Sequence, residues 1–274
     1  RFVDGRLRVP EDFLTRHLPS LLGERIAYRN LNPPSARTAR KQGAMDRLFS
    51  FLLRRKTTAS GGQLRAVAID PGHGGEDVGV LAPNAVKEKD INFALATRLE
   101  KLLKMQLGIP VYLSRDGDYG LTPEQRLEPA MKEDVDAFLL IHSQGSFSPR
   151  HRGINLLIRP QEAEVDLAEN SSEGDGATKE VVPALPLAKN NESLRLAKTL
   201  RSSLKRSGFS VGEIQESVLF PLGRGDLPTV LIEVGYLSNA EDFAMLREEQ
   251  SQERLSQALF KGLKRYADMV KEGI

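Results

Sequence analysis

The chain has 274 residues, 40% of them hydrophobic and 28% charged, with a formal net charge of +2 and no cysteine. That length supports one large α/β domain plus a small extra unit, and the missing cysteines exclude disulfides, thiolate metal ligands and a cysteine nucleophile. No apolar run approaches the ~20 residues needed to cross a bilayer, so no transmembrane segment is expected.

The charge is unevenly shared: residues 1–63 hold 13 Lys and Arg against 5 Asp and Glu, and the rest of the chain is net acidic. The front end therefore reads as a small basic module, either simply solvated or resting on anionic polymer or lipid headgroups. Trp is absent and no aromatics interleave with the basic residues, so no nucleic-acid partner is expected. Arg1 to Val9 predicts a short strand, Pro10 opens a helix at its first turn, and a second helix is expected over Gln42 to Leu53 beyond Asn32-Pro33-Pro34. Arg54 to Gln63, with Thr57-Thr58-Ala59-Ser60-Gly61-Gly62, is polar and glycine-rich, and the domain boundary is placed there. The division expected is thus 1–63, an α+β module with its linker, and 64–274. The chain begins at Arg1 without a signal-peptide pattern, which leads us to expect an upstream segment.

From Arg65 short apolar runs alternate with amphipathic helices, the pattern of strands joined by helical crossovers. The fold class expected is α/β, a mostly parallel twisted sheet with helices on both faces. Strands are predicted over Arg65 to Asp70, Val111 to Ser114, Ala137 to Ile141, Ile154 to Ile158 and Thr229 to Ile232. A helix over Asp90 to Gln106 aligns Ile91, Leu95, Leu99, Leu102 and Leu103 on one face and stops at Gly108. Thr122-Pro123-Glu124-Gln125 predicts a capping box with proline at the first helical position, and Asn191 to Ser207 and Gln252 to Lys271 supply two more helices.

Four segments carry the chemistry: Asp70-Pro71-Gly72-His73-Gly74-Gly75, Glu88-Lys89-Asp90, Ile141-His142-Ser143 and Ile232-Glu233-Val234-Gly235. A catalytic zinc site uses three protein ligands and keeps one open position, with a further carboxylate moving protons nearby. His73, Glu88 and His142 suit the ligands, Zn2+ the ion, and Glu233 the proton carrier. His73, His142 and Glu233 each fall at the end of a predicted strand, where sites assemble in open α/β sheets, and Glu88 lies at the mouth of the first crossover helix. Ordinary explanations exist for each: a satisfied structural histidine, or an acidic residue favouring a helix N-terminus. For Glu233, directly after Val230-Leu231-Ile232, burying an unpaired carboxylate costs several kcal/mol, roughly, and a place beside a metal answers that cost. Gly72, Gly74 and Gly75 allow a sharp turn and close substrate approach. Asp70 and Asp77 are candidates to orient His73; Arg115 is either structural or substrate-facing; His17 and His151 are assigned nothing.

These residues resemble the zinc-dependent N-acetylmuramoyl-L-alanine amidases, amidase type 3, which cut stem peptides from bacterial peptidoglycan. The similarity runs from about Arg65 to about Tyr266 and is carried by Ala68-Ile69-Asp70-Pro71-Gly72-His73-Gly74-Gly75-Glu76-Asp77, Glu88-Lys89-Asp90-Ile91-Asn92, Leu113-Ser114-Arg115-Asp116 and Val230-Leu231-Ile232-Glu233-Val234-Gly235-Tyr236-Leu237-Ser238-Asn239. It implies metal ligands at His73, Glu88 and His142 and a catalytic carboxylate at Glu233. Ser143-Gln144-Gly145 and Ala130-Met131 depart from the family pattern without removing a ligand.

Between Ile158 and Asn191 lies an insertion, at about 159–190, with 7 acidic and 2 basic residues from Gln161 to Lys189. Its Ser-Ser-Glu-Gly-Asp-Gly composition fits a solvated loop; the resemblance implies instead a regulatory cover over the metal, moved by an activator protein. It further implies peptidoglycan as substrate and an exported protein of the periplasm or cell wall. Two other readings stay open: a zinc peptidase acting within the stem peptide, and a non-catalytic peptidoglycan-binding regulator on the same fold.

Overall fold

The run Ala66-Val67-Ala68-Ile69 forms the strand its composition calls for, β3 (Ala66–Pro71), buried at every position, as in a sheet covered on both faces. The computed structural model describes residues 2–3, 6–7, 64–160, 191–217 and 227–272. The two helices and the linker expected within residues 1–63, and most of the acidic insertion, lie outside these residues. At the start of the chain the expectation of a single strand is corrected: β1 (Phe2–Val3) and β2 (Arg6–Leu7) pair antiparallel, with Phe2 opposite Leu7. The Asp4-Gly5 dipeptide between them is the sequence signal for a two-residue hairpin loop.

Six strands form the main sheet, in the order β6 (Val111–Leu113), β3, β7 (Val135–Gln144), β10 (Thr229–Tyr236), β8 (Ile154–Ile158) and β9 (Val211–Glu216). The first four run parallel. Strand β8 is antiparallel to β10, and β9 parallel to β8, so the sheet is mostly parallel, as expected. A small hairpin, β4 (Leu81–Ala82) with β5 (Val86–Lys87), precedes the first long helix.

Among the described residues the two faces are covered unequally. On one, α1 (Glu88–Leu107), α3 (Asn191–Arg206) and α5 (Glu249–Glu272) bury Leu95, Leu99, Leu200 and Leu259 against Val67, Ile69, Leu139, Ile141 and Ile232. On the other, Ala66, Ala68, Phe138, Leu140 and Leu231 meet Leu127 of the short α2 (Pro123–Leu127) and Ala130 of the 3-10 turn that follows. Helix α1 stops at Gly108, which is left-handed (φ 66), and α2 carries the expected Thr122–Gln125 capping box. The β4–β5 hairpin, strand β9 and helix α4 (Ala240–Arg247) were not foreseen. Strand β9 exposes four of its six residues, so it has no apolar run to betray it. Helix α4 is short, although its cap was legible: Asn239 accepts from the backbone N–H groups of Glu241 and Asp242.

Candidate metal centre

The strand-end positions converge as the topology requires. His73 follows β3, but His142 and Glu233, expected just past their strands, lie inside them, because β7 continues to Gln144 and β10 to Tyr236; in the parallel β7–β10 register Glu233 is the direct partner of His142. Paired residues share a face, and alternation from Leu140 and Leu231 puts both side chains on the face that meets α2. Glu88, the first residue of α1, reaches the same edge from the helix side. One ligand atom each from His73, Glu88 and His142 lie within 4.8 Å of one another.

Glu88 is fully buried and held on both oxygens. Oε2 accepts from the backbone N–H of Val80 at 2.9 Å and Oε1 from that of Ser143 at 2.9 Å, with Asn92 Nδ2 adding a contact at 3.2 Å. The remaining directions face the imidazoles: Glu88 Oε2 is 3.1 Å from His73 Nε2, and Oε1 is 3.3 Å from His142 Nδ1. These spacings match the roughly 3.4 Å that tetrahedral ligands about 2.1 Å from one ion keep from each other. His73 Nε2 is buried with no properly directed hydrogen bond, as a nitrogen reserved for a metal would be. Two imidazoles and a carboxylate are a donor set that fits a divalent ion with an open position.

His73 itself is left-handed, with φ 64, which for a residue with a Cβ costs roughly 1–2 kcal/mol. Its surroundings hold it there. Arg126 donates to the His73 carbonyl at 2.9 Å, and Asp77 Oδ2 lies 2.8 Å from His73 Nδ1, turning Nε2 toward Glu88. Burial pulls the His73 pKa down, but the hydrogen bond to Asp77 and the Glu88 carboxylate outweigh it and leave it raised. Burial pushes Asp77 up, and its imidazole partner more than offsets this, so that its pKa is lowered.

Of the two candidates to orient His73, Asp77 does so; Asp70 instead accepts from Ser114 Oγ and, at 3.0 Å, from Arg126. Arg115 is structural: nearly fully buried, it donates to the carbonyls of Pro71, Gly72, Gly117 and Lys89. Lys89 and Asp118 tie down the other side of the loop, since Lys89 Nζ binds the Gly75 carbonyl at 2.8 Å and Asp118 Oδ2 at 2.6 Å, while Asp118 Oδ1 accepts from Gly75 N–H. Gly72 proves necessary for a reason other than substrate approach: a Cβ there would overlap the His142 ring. At Gly79, which the motif did not single out, a Cβ would sit 2.6 Å from Glu88 Oε2. Asn92 was missed as a partner of Glu88, although i, i+4 spacing on a helix was its signal. His17 lies outside the described residues, and His151 is exposed.

Fold and site together define an α/β protein with a His-Glu-His cluster, buried at His73 and Glu88 and half-buried at His142, able to hold a metal ion, toward the carboxyl ends of parallel strands. The chain belongs to the N-acetylmuramoyl-L-alanine amidase family, whose profile matches residues 67–265. Among its relatives, the amidase AmiC of Escherichia coli is 26% identical over 220 residues, 73% of this chain and 52% of that protein; the chain likewise spans about half the length of the two related amidases from Haemophilus influenzae and Neisseria meningitidis. The catalytic domain of the amidase CwlV from Bacillus (Paenibacillus) polymyxa superposes with a TM-score of 0.60 at 26% identity, covering 74% of this chain and 98% of that one. The CwlD amidase of Clostridioides difficile, solved in complex with the GerS lipoprotein, has the same fold: TM-score 0.58, 24% identity, coverage 75% and 99%.

Proposed function

We propose that this chain is a zinc-dependent N-acetylmuramoyl-L-alanine amidase, hydrolysing the amide between the lactyl group of N-acetylmuramic acid and L-alanine in peptidoglycan, with residues 64–274 as its catalytic domain. The observation that carries this reading is the His73–Glu88–His142 cluster with Glu233 beside His142 in register, in a chain of this family. An unactivated amide resists water because water is a poor nucleophile and an amine a poor leaving group. A zinc ion held by the three ligands would supply Lewis acidity to the scissile carbonyl and acidify the attacking water. Glu233 accepts the water's proton and delivers it to the departing nitrogen of alanine, as general base and then general acid. Asp77 fixes the His73 ring, and the backbone N–H groups of Val80 and Ser143 fix the Glu88 carboxylate.

Peptidoglycan as substrate places the working protein outside the cytoplasm, in the periplasm or cell wall, and fractionation of cells tests that. The 159–190 insertion, much of it outside the described residues, is proposed as the element on which an activator acts; the CwlD complex with a lipoprotein makes a protein partner reasonable for this fold. Deleting Gln161 to Pro186 should raise basal hydrolysis, and an unchanged rate would sink that idea.

The central test digests purified sacculi. The amidase frees peptides that begin with alanine and leaves bare glycan, whereas a peptidase leaves alanine on the sugar. Glu233→Ala should retain one zinc per chain while turnover falls by about 10²–10⁴; full activity in that variant would refute the role.

A further inference from the structure

The row of side chains holding His142 and Glu233 continues onto the next strand. Asn155 of β8 stands opposite Glu233 in the antiparallel pair, so it shares their face. Further along, β10 bulges: Glu233 pairs with His142 but Tyr236 pairs with Gln144, so that three steps of one strand match two of the other. Plain alternation would turn Tyr236 toward the long helices. The extra residue, beside Gly235 at φ 146, returns it to the Glu233 face. There Tyr236 Oη accepts a hydrogen bond from Asn155 Nδ2 at 3.1 Å.

This arrangement is braced from two sides. Asp242 Oδ2 accepts from the backbone N–H of Tyr236 at 2.9 Å and from that of Gly153 at 2.7 Å, tying the bulge to the start of β8. The His151 ring lies 5.9 Å from that of Tyr236 and is itself set by Ser146 Oγ, 2.7 Å from its Nδ1. Asn155, Tyr236 and Gln144 are half-buried, open to a ligand. Among the described residues, Asn155 Oδ1, which lies toward Gly212 of β9, and the Gln144 carboxamide make no hydrogen bond, so acceptors and donors are left available along this face.

We propose that Asn155, Tyr236 and Gln144 form a substrate subsite that recognises a second amide of the substrate, other than the one cut. A carboxamide offers a donor and an acceptor together, which matches the C=O and N–H of a secondary amide. Strands lie about 4.8 Å apart, so a substrate with its scissile carbonyl over His142 and Glu233 presents a group one bond system away to the β8 side. The inference rests on the amidase reading and deepens it. The acetamido group of the muramic acid and the next peptide bond share this chemistry.

The test is equilibrium binding to the zinc-loaded protein in a Glu233→Ala background, which holds the ligands without cutting them. Three ligands are compared: an N-acetylmuramoyl dipeptide, its N-deacetylated form and the free dipeptide. Asn155→Ala and the near-isosteric Tyr236→Phe should keep zinc and thermal stability while weakening binding of the acetylated ligand about five- to tenfold, the scale of one neutral hydrogen bond. On sacculi, with Glu233 intact, KM should rise with kcat nearly constant. Loss confined to the acetylated ligand assigns the subsite to the acetamido group, and equal loss for all three assigns it to a peptide amide. Unchanged affinities when Asn155→Ala and Tyr236→Phe are added, or a Glu233→Ala protein that binds none of the ligands, overturns the subsite. Absence of sacculus cleavage by a wild-type protein that does bind would instead count against the amidase reading.

Discussion

His73 shows how much the site depends on single residues. Its left-handed backbone is held by Arg126 on its carbonyl and Asp77 on its ring, so Asp77→Asn should weaken zinc binding about 10–100-fold in a competition titration, with the fold intact. The raised pKa of His73 carries a sign that can be checked. A protonated imidazole cannot ligate, so the affinity of the proposed zinc site should be full above the raised value and fall as pH drops through it, beginning above the ordinary histidine value of 6.5. Calorimetry in buffers of different ionisation enthalpy should register proton release on binding near neutral pH. Gly79 makes a sharper case, since a Cβ would crowd Glu88 Oε2 and His73 Cδ2 at 2.6 and 2.7 Å and φ is +68. Gly79→Ala should lose zinc by at least about tenfold while circular dichroism stays native; normal zinc content would refute the crowding argument.

At the scale of elements, the short α2 matters beyond its length because it carries Arg126, whose guanidinium reaches Asp70, Pro71 and His73. The Thr122–Gln125 capping box starts that helix. Thr122→Ala should therefore cost about 1 kcal/mol in denaturant unfolding and also loosen zinc, whereas a cap loss elsewhere would leave zinc untouched. Helix α1 links fold to chemistry in the same way: its leucines anchor it to the sheet, and its first residue delivers Glu88 to the strand ends. The capping box and the glycine stop of α1 were legible in the sequence because both are local. Strand β9 was not, because an exposed edge strand needs no apolar pattern.

Across the molecule, among the described residues, the long helices share one core on one face of the sheet, and α2 with the turn after it packs on the other, the face that carries His142 and Glu233. Tyr266 of α5 is buried and binds Glu192 of α3 at 3.2 Å. Burial, then the nearby Glu192 carboxylate, pushes its pKa well above the ordinary 10.0. The stability linked to its proton is present below pH 10 and is lost as pH rises from there toward the folded-state value, because the unfolded tyrosine ionises first. Tyr266→Phe should flatten this alkaline loss in unfolding experiments, and an equally steep limb in the variant would disprove it.

From the sequence alone came what depends on neighbours along the chain: the apolar runs that became strands, the caps of α1 and α2, and the four motifs that carry His73, Glu88, His142 and Glu233. Periodicity and side-chain chemistry are local properties. Only the tertiary structure decided what depends on register between distant strands. It put Asp77 rather than Asp70 on His73, made Arg115 a clamp on four carbonyls, and used one extra residue in β10 to turn Tyr236 to the face shared by Glu233 and Asn155. A one-residue shift in pairing reverses which face a side chain takes, and nothing in a strand's own composition records the register of its neighbour.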